Sequence, residues 1–124
     1  MLRLMLALSL ALSAAACHSG KSPQLTVLGV SEASRREVVF VQVTNPASRP
    51  MRLTKLEYTF ASQGQQVSRG EVPLSRDLPA GAAVVVEVPL DVSADGPMTM
   101  RGTLTAELDQ IVRIFRVSAN VDPH

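Results

Sequence analysis

Few residues in this sequence could do chemistry, and their placement argues against catalysis. Cys17 is the only cysteine, which excludes an internal disulfide and a cysteine-rich zinc site. The two histidines are His18, beside that cysteine, and His124. No histidine lies between them to serve as a general base. There is no Gly-x-Ser-x-Gly elbow, no glycine-rich phosphate loop and no metal-ligand spacing. Asp91-x-Ser93-x-Asp95-Gly96 copies the opening of a calcium loop, but the twelfth position, which must supply a bidentate carboxylate, is Gly102. The segment reads as a turn. Arg35, Arg36, Arg49, Arg52 and Lys55 could meet anionic headgroups, each contributing ~1 kcal/mol near a surface. Glu32, Glu37 and Glu57 are interspersed with them, so they read as ordinary solvated charge. With a net charge of +1 and 3% aromatic residues, the chain lacks the basic footprint and stacking surface of a nucleic-acid binder. These observations predict no enzyme, no cofactor and no metal.

The one distinctive chemical position is Cys17. Residues 1–16, MLRLMLALSLALSAAA, carry Arg3 and then an apolar run interrupted only by Ser9 and Ser13. The run is too short for a bilayer core of ~30 Å and suits the helical h-region of an export signal. Ala14-Ala15-Ala16-Cys17 resembles the bacterial lipobox, with Ala14 where a leucine is usual. That resemblance implies cleavage after Ala16 and acylation of Cys17, whose two or more acyl chains would give stable anchoring. The expected organisation is a signal peptide over 1–16, a small polar tether over 17–23 and one folded domain over 24–124. Arg3 accounts for the formal excess charge, and 17–124 is balanced.

The elements that follow read as short strands. Residues 25–31 alternate, with Leu25, Val27 and Gly29 on one face and Thr26, Leu28 and Val30 on the other. Residues 37–45 place Val39, Val41 and Val43 together. Asn45-Pro46 ends that strand: proline removes a ladder donor, and asparagine can cap its own turn. Residues 51–62 predict Thr54, Leu56, Tyr58 and Phe60 inward and Leu53, Lys55, Glu57 and Thr59 outward. A turn at Gln63-Gly64-Gln65 leads to a short return strand over 66–71, where Gly70 suggests a bulge or a close backbone approach. Residues 72–78 read as irregular, between Pro73 and Pro79. Pro79-Ala80-Gly81 is a turn. Residues 82–92 place Val84, Val86, Val88, Leu90 and Val92 on one face, and Pro89 marks an edge or bulged strand. Residues 98–108 put Met98, Met100, Gly102, Leu104, Ala106 and Leu108 on one face. After a tight connection at Asp109-Gln110, residues 111–121 group Ile111, Phe115, Val117, Ala119 and Val121. Arg113 falls on that apolar face, which predicts an edge position or a register change. The expected fold is all-β: a fibronectin type III-like or immunoglobulin-like β-sandwich of about seven antiparallel strands, following the signal helix.

Several features arrive in a fixed order: Asn45-Pro46, then Arg52-Leu53-Thr54-Lys55-Leu56-Glu57-Tyr58, Gly64, Gly70, Leu78-Pro79-Ala80-Gly81, the valine run from Val84 to Leu90, and Arg101-Gly102-Thr103-Leu104. Over residues 24–121 this order resembles the late-embryogenesis-abundant type 2 family, also called the water-stress and hypersensitive-response domain. The resemblance implies a small fibronectin-type sandwich, a role in desiccation or stress tolerance, and no catalytic residues. Asn45, Pro46, Pro79 and Gly81 are expected to shape turns.

Together these readings predict a lipid-anchored envelope protein facing the periplasm that binds or shields client or envelope proteins without turnover. His18, standing where an inner-membrane retention signal would carry aspartate, favours the outer membrane. The alternative is an envelope-assembly or adhesion module that captures one partner through an edge strand or loop.

Overall fold

The computed structural model describes residues 22–33, 36–92 and 96–122. The expected signal helix, the lipobox and Cys17 lie outside them, as do Ser93 and Asp95 of the calcium-like motif. Seven strands follow one another: β1 Gln24–Ala33, β2 Arg36–Thr44, β3 Met51–Ser62, β4 Gln65–Leu78, β5 Ala83–Leu90, β6 Met98–Leu108 and β7 Ile111–Val121. They form a three-stranded sheet in the order β1-β2-β5 and a four-stranded sheet in the order β4-β3-β6-β7. Every pairing is antiparallel. Among the described residues there is no helix. This is the predicted fibronectin type III-like sandwich.

Alternation along the strands builds the core, because successive side chains point to opposite faces. One sheet contributes Val39, Val41 and Val43 from β2 and Val86, Val88 and Leu90 from β5. The other contributes Met51, Leu53, Leu56, Tyr58 and Phe60 from β3 and Met98, Met100, Leu104 and Ala106 from β6. Tyr58 meets Phe60 edge-on, their ring centroids 5.4 Å apart. That geometry suits the aromatic quadrupoles.

The faces of two strands differ from strict alternation, because bulges reset their phase. In β3 the register shifts between Leu53 and Lys55. Leu53, expected outward, is therefore fully buried, and Thr54, expected inward, is only half-buried. The Thr54 hydroxyl donates to the Thr105 carbonyl at 3.0 Å, which satisfies it at the sheet's midst. In β1 the shift falls between Val27 and Gly29. Leu28 stays outward at 53% exposure, and the shift brings Val30, expected on the face of Leu28, to join Leu25 and Val27 against the core. An extra residue in one strand moves every later side chain to the other face.

The segment over 72–78 is strand and not irregular: β4 runs unbroken to Leu78. Pro73 is tolerated because β4 is an outer strand, where a missing amide donor has no ladder partner to lose. β5 is likewise an outer strand, as Pro89 predicted. β7 is the other edge of the four-stranded sheet, and its pairing with β6 runs without a shift. Arg113 thus occupies an edge position and causes no register change. Ile111, grouped with the apolar face, is 57% exposed there.

Candidate functional site

The turn residues singled out in the sequence meet at one end of the sandwich. Asn45 follows β2 and is completely buried. Its Oδ1 accepts from the Ala47 amide at 3.1 Å, the expected self-capping turn. Its Nδ2 also reaches the carbonyl oxygens of Arg49 at 2.8 Å, Leu78 at 3.2 Å and Pro79 at 3.3 Å. The Asn45 amide donates to Ala82, and Gly81 donates back to the Asn45 carbonyl. Gly81 can take part because it sits at φ 73° in the turn that Ala82 closes on Pro79. One asparagine therefore ties the β2–β3 loop to the β4–β5 turn and joins the ends of both sheets. Asn45, Pro79 and Gly81 meet at this junction, and Pro46 lies beside them in sequence. The arrangement offers no nucleophile and no base.

The outer face of the four-stranded sheet is built of cross-strand rows. Glu71, Glu57, Thr103 and Arg116 lie abreast, and beside them Arg69, Thr59, Arg101 and Ser118. Between these rows Tyr58 turns inward with a glycine on each side, Gly70 in β4 and Gly102 in β6. A Cβ on Gly102 would overlap the Glu57 carbonyl oxygen, and one on Gly70 would come within 2.9 Å of the Tyr58 ring carbon Cζ. The close approach expected at Gly70 is thus made with Tyr58, and Gly102 makes a tighter one. The result is an open depression of about 1040 Å³. Its charges are mixed, so it has no strong field of one sign.

The basic residues weighed for headgroup binding do not form a free patch. Arg49 pairs with Asp109 at 2.7 Å, Arg52 with Asp77 at 2.8 Å and Lys55 with Glu57 at 3.5 Å. All these side chains are well exposed, so the pairs add little stability. The side chains of Arg35 and Arg36 are outside the described ones. Among the described residues, no group of three His, Cys, Asp or Glu side chains could hold a metal ion.

At the start of β7, Ile111, Val112 and Ile114 are 57%, 64% and 67% exposed. Periodicity hid this region, because apolar residues on both faces read as a buried strand. The inward-facing Arg113 was the available signal.

The sequence model of the family described as late embryogenesis abundant protein matches residues 40–116, from within β2 to within β7. The chain belongs to the late embryogenesis abundant protein family. No curated protein matches it. A solution structure of a late embryogenesis abundant (LEA) candidate is similar, at 18% identity and a TM-score of 0.51, over 97% of this chain and 82% of that one. An X-ray structure of the structural genomics target SoR45 matches at 11% identity and a TM-score of 0.50, over 82% and 83%. A solution structure of an Arabidopsis thaliana protein matches at 17% identity and a TM-score of 0.48, over 83% and 82%. At such identities the LEA-type likeness concerns the fold. The LEA match spans the junction, both glycines flanking Tyr58 and all of the exposed start of β7.

Proposed function

We propose that this protein is a lipid-anchored envelope protein of the LEA type, held through Cys17, that binds or shields partner proteins under water stress without catalysis. In this reading residues 1–16 are removed, residues 17–23 form the tether, and the sandwich faces the periplasm, on the outer membrane. The observation that carries the shielding reading is the outer face of the β4-β3-β6-β7 sheet, whose cross-strand rows are filled with Arg, Glu, Thr and Ser. Such a face can supply hydrogen bonds to a client surface as water is withdrawn. LEA-family proteins are not known as enzymes, which agrees with a sequence that has no histidine between His18 and His124.

Drying or freezing an aggregation-prone client with the protein tests shielding. Protection should rise with the ratio of protein to client and survive Arg52→Ala, because no single side chain does the work. A globular control of equal size and charge that protects equally well defeats the reading. Anchoring has a separate test. Cys17→Ala should abolish fatty-acid labelling and release the protein from membranes, and a mutant that stays membrane-bound rules the anchor out.

A second reading, capture of one partner by strand addition, is favoured by the exposed apolar residues that open the edge strand β7.

A further inference from the structure

Among the described residues β7 is hydrogen-bonded to β6 alone, so its other side is a sheet edge. That edge is not uniform. Ile111, Val112 and Ile114 are more than half exposed, whereas Val117 and Val121 are buried. On the inner face, Ile111 and Arg113 are exposed where Val117 and Val121 are buried, so the core-facing side is uncovered only in the first half of the strand. Within the open half, Arg113 and Arg116 are exposed and make no ion pair among the described residues. In register, Arg113 stands opposite Ala106 and Arg116 opposite Thr103, so neither faces a carboxylate on β6. Glu107 is opposite Val112 and makes no ion pair among the described residues.

We infer that the stretch from Ile111 to Arg116 is a docking edge for an extended acidic segment of a partner protein, selected by Arg113 and Arg116. This rests on the strand-addition reading above and supplies the partner's chemistry. The open edge offers main-chain hydrogen bonds to any extended chain, and Val112 and Ile114 offer apolar contact on the outer face. Neither feature discriminates between partners. The arginines do: like charges directly opposite one another destabilise a strand pair, and opposite charges stabilise it.

A second copy of β7 is disfavoured in the register that best matches its apolar residues. The antiparallel self-pairing that sets Val112 against Ile114 and Ile111 against Phe115 also sets Arg113 against Arg113. An inward-pointing charge on an edge strand blocks edge-to-edge association in this way. What blocks a like edge admits an acidic one. Because Arg113 and Arg116 are three residues apart, one points to the inner side of the edge and the other to the outer face. The preferred segment therefore carries two carboxylates three residues apart, with apolar or β-branched residues between them.

The test uses the full chain and two fluorescein-labelled ten-residue peptides with a Val/Thr background. One carries glutamates three residues apart, and the other carries lysines at the same positions. Fluorescence anisotropy should show the glutamate peptide binding about tenfold more tightly. Its binding should slow amide hydrogen exchange in residues 111–116. Arg113→Glu with Arg116→Glu should reverse the preference, with circular dichroism confirming that the variant is folded, and Arg69→Glu should leave it unchanged. Equal binding of the two peptides, with β7 protected, overturns the acidic selection while strand addition stands. Protection confined to other residues, or no binding of either peptide, overturns both.

Discussion

Gly102 is the residue with the least freedom in the sheet. The backbone of β6 comes so close to β3 there that a methyl group would overlap the Glu57 carbonyl oxygen and lie 3.1 Å from the Tyr58 Cα. Both obstacles are backbone and cannot swing aside. Gly70 is different, because its obstacle is the end of the Tyr58 ring. Gly102→Ala should cost about 1–3 kcal/mol or more, the range for overpacking a tight site. Gly70→Ala should cost less. Urea unfolding midpoints compare the two, and the reverse order would mean that Tyr58 is the more rigid neighbour. Asn45 is the other residue whose role exceeds its sequence reading. Self-capping was legible from Asn-Pro, but the carbonyls of Leu78 and Pro79 reach it only once both sheets are assembled.

At the scale of elements, the turns and bulges decide what each strand buries. Gln63-Gly64 joins β3 to β4 and Asp109-Gln110 joins β6 to β7, each with both residues at positive φ. This is the two-residue hairpin whose twist matches the strands. The second hairpin lacks glycine, and Gln110 sits at φ 67°. Gln110→Gly should therefore stabilise the protein by about 0.5–1 kcal/mol, raising the melting temperature by several degrees. Asp109 should be left in place because it pairs with Arg49. In β3, the bulge at Thr54 leaves Leu56, Tyr58 and Phe60 inward as predicted. Phe60→Ala should cost ~3–5 kcal/mol, since the ring is fully buried. Thr59→Ala should cost under ~1 kcal/mol, as its hydroxyl makes only an exposed 3.4 Å contact to the Arg101 carbonyl. Equilibrium unfolding in denaturant compares the pair, and equal costs would mean a different register.

The molecule as a whole is two sheets around one core, joined where Asn45 links the chain ends of four strands. No strand can bury its inner face alone, so the sandwich should unfold in one cooperative step. Far-UV circular dichroism should show a β spectrum, and its thermal transition should coincide with that of the near-UV signal. Two separated transitions would mean that the sheets are independent units. Pairings such as β2 with β5 and β3 with β6 span long stretches of sequence, so refolding should take milliseconds to seconds. Stopped-flow refolding monitored through Tyr58, the only tyrosine of a chain without tryptophan, measures that rate.

By itself, the sequence determined the all-β class, the family, the positions of the turns and the inward valines of β2 and β5. Each is a local signal: a period of two, a proline or glycine at a breakpoint, or the order of short motifs. Tertiary structure decided what local patterns do not encode. Leu53 and Thr54 exchanged faces because a bulge is a relation between β3 and β6, invisible in either strand alone. Residues 72–78 became strand because β3 was there to pair with them, and Pro73 fitted because no strand lay beyond. The exposed start of β7 read as core because Ile and Val are apolar wherever they stand. Whether an apolar side chain is covered depends on the neighbour packed against it, and the described residues supply none that covers Ile111, Val112 or Ile114.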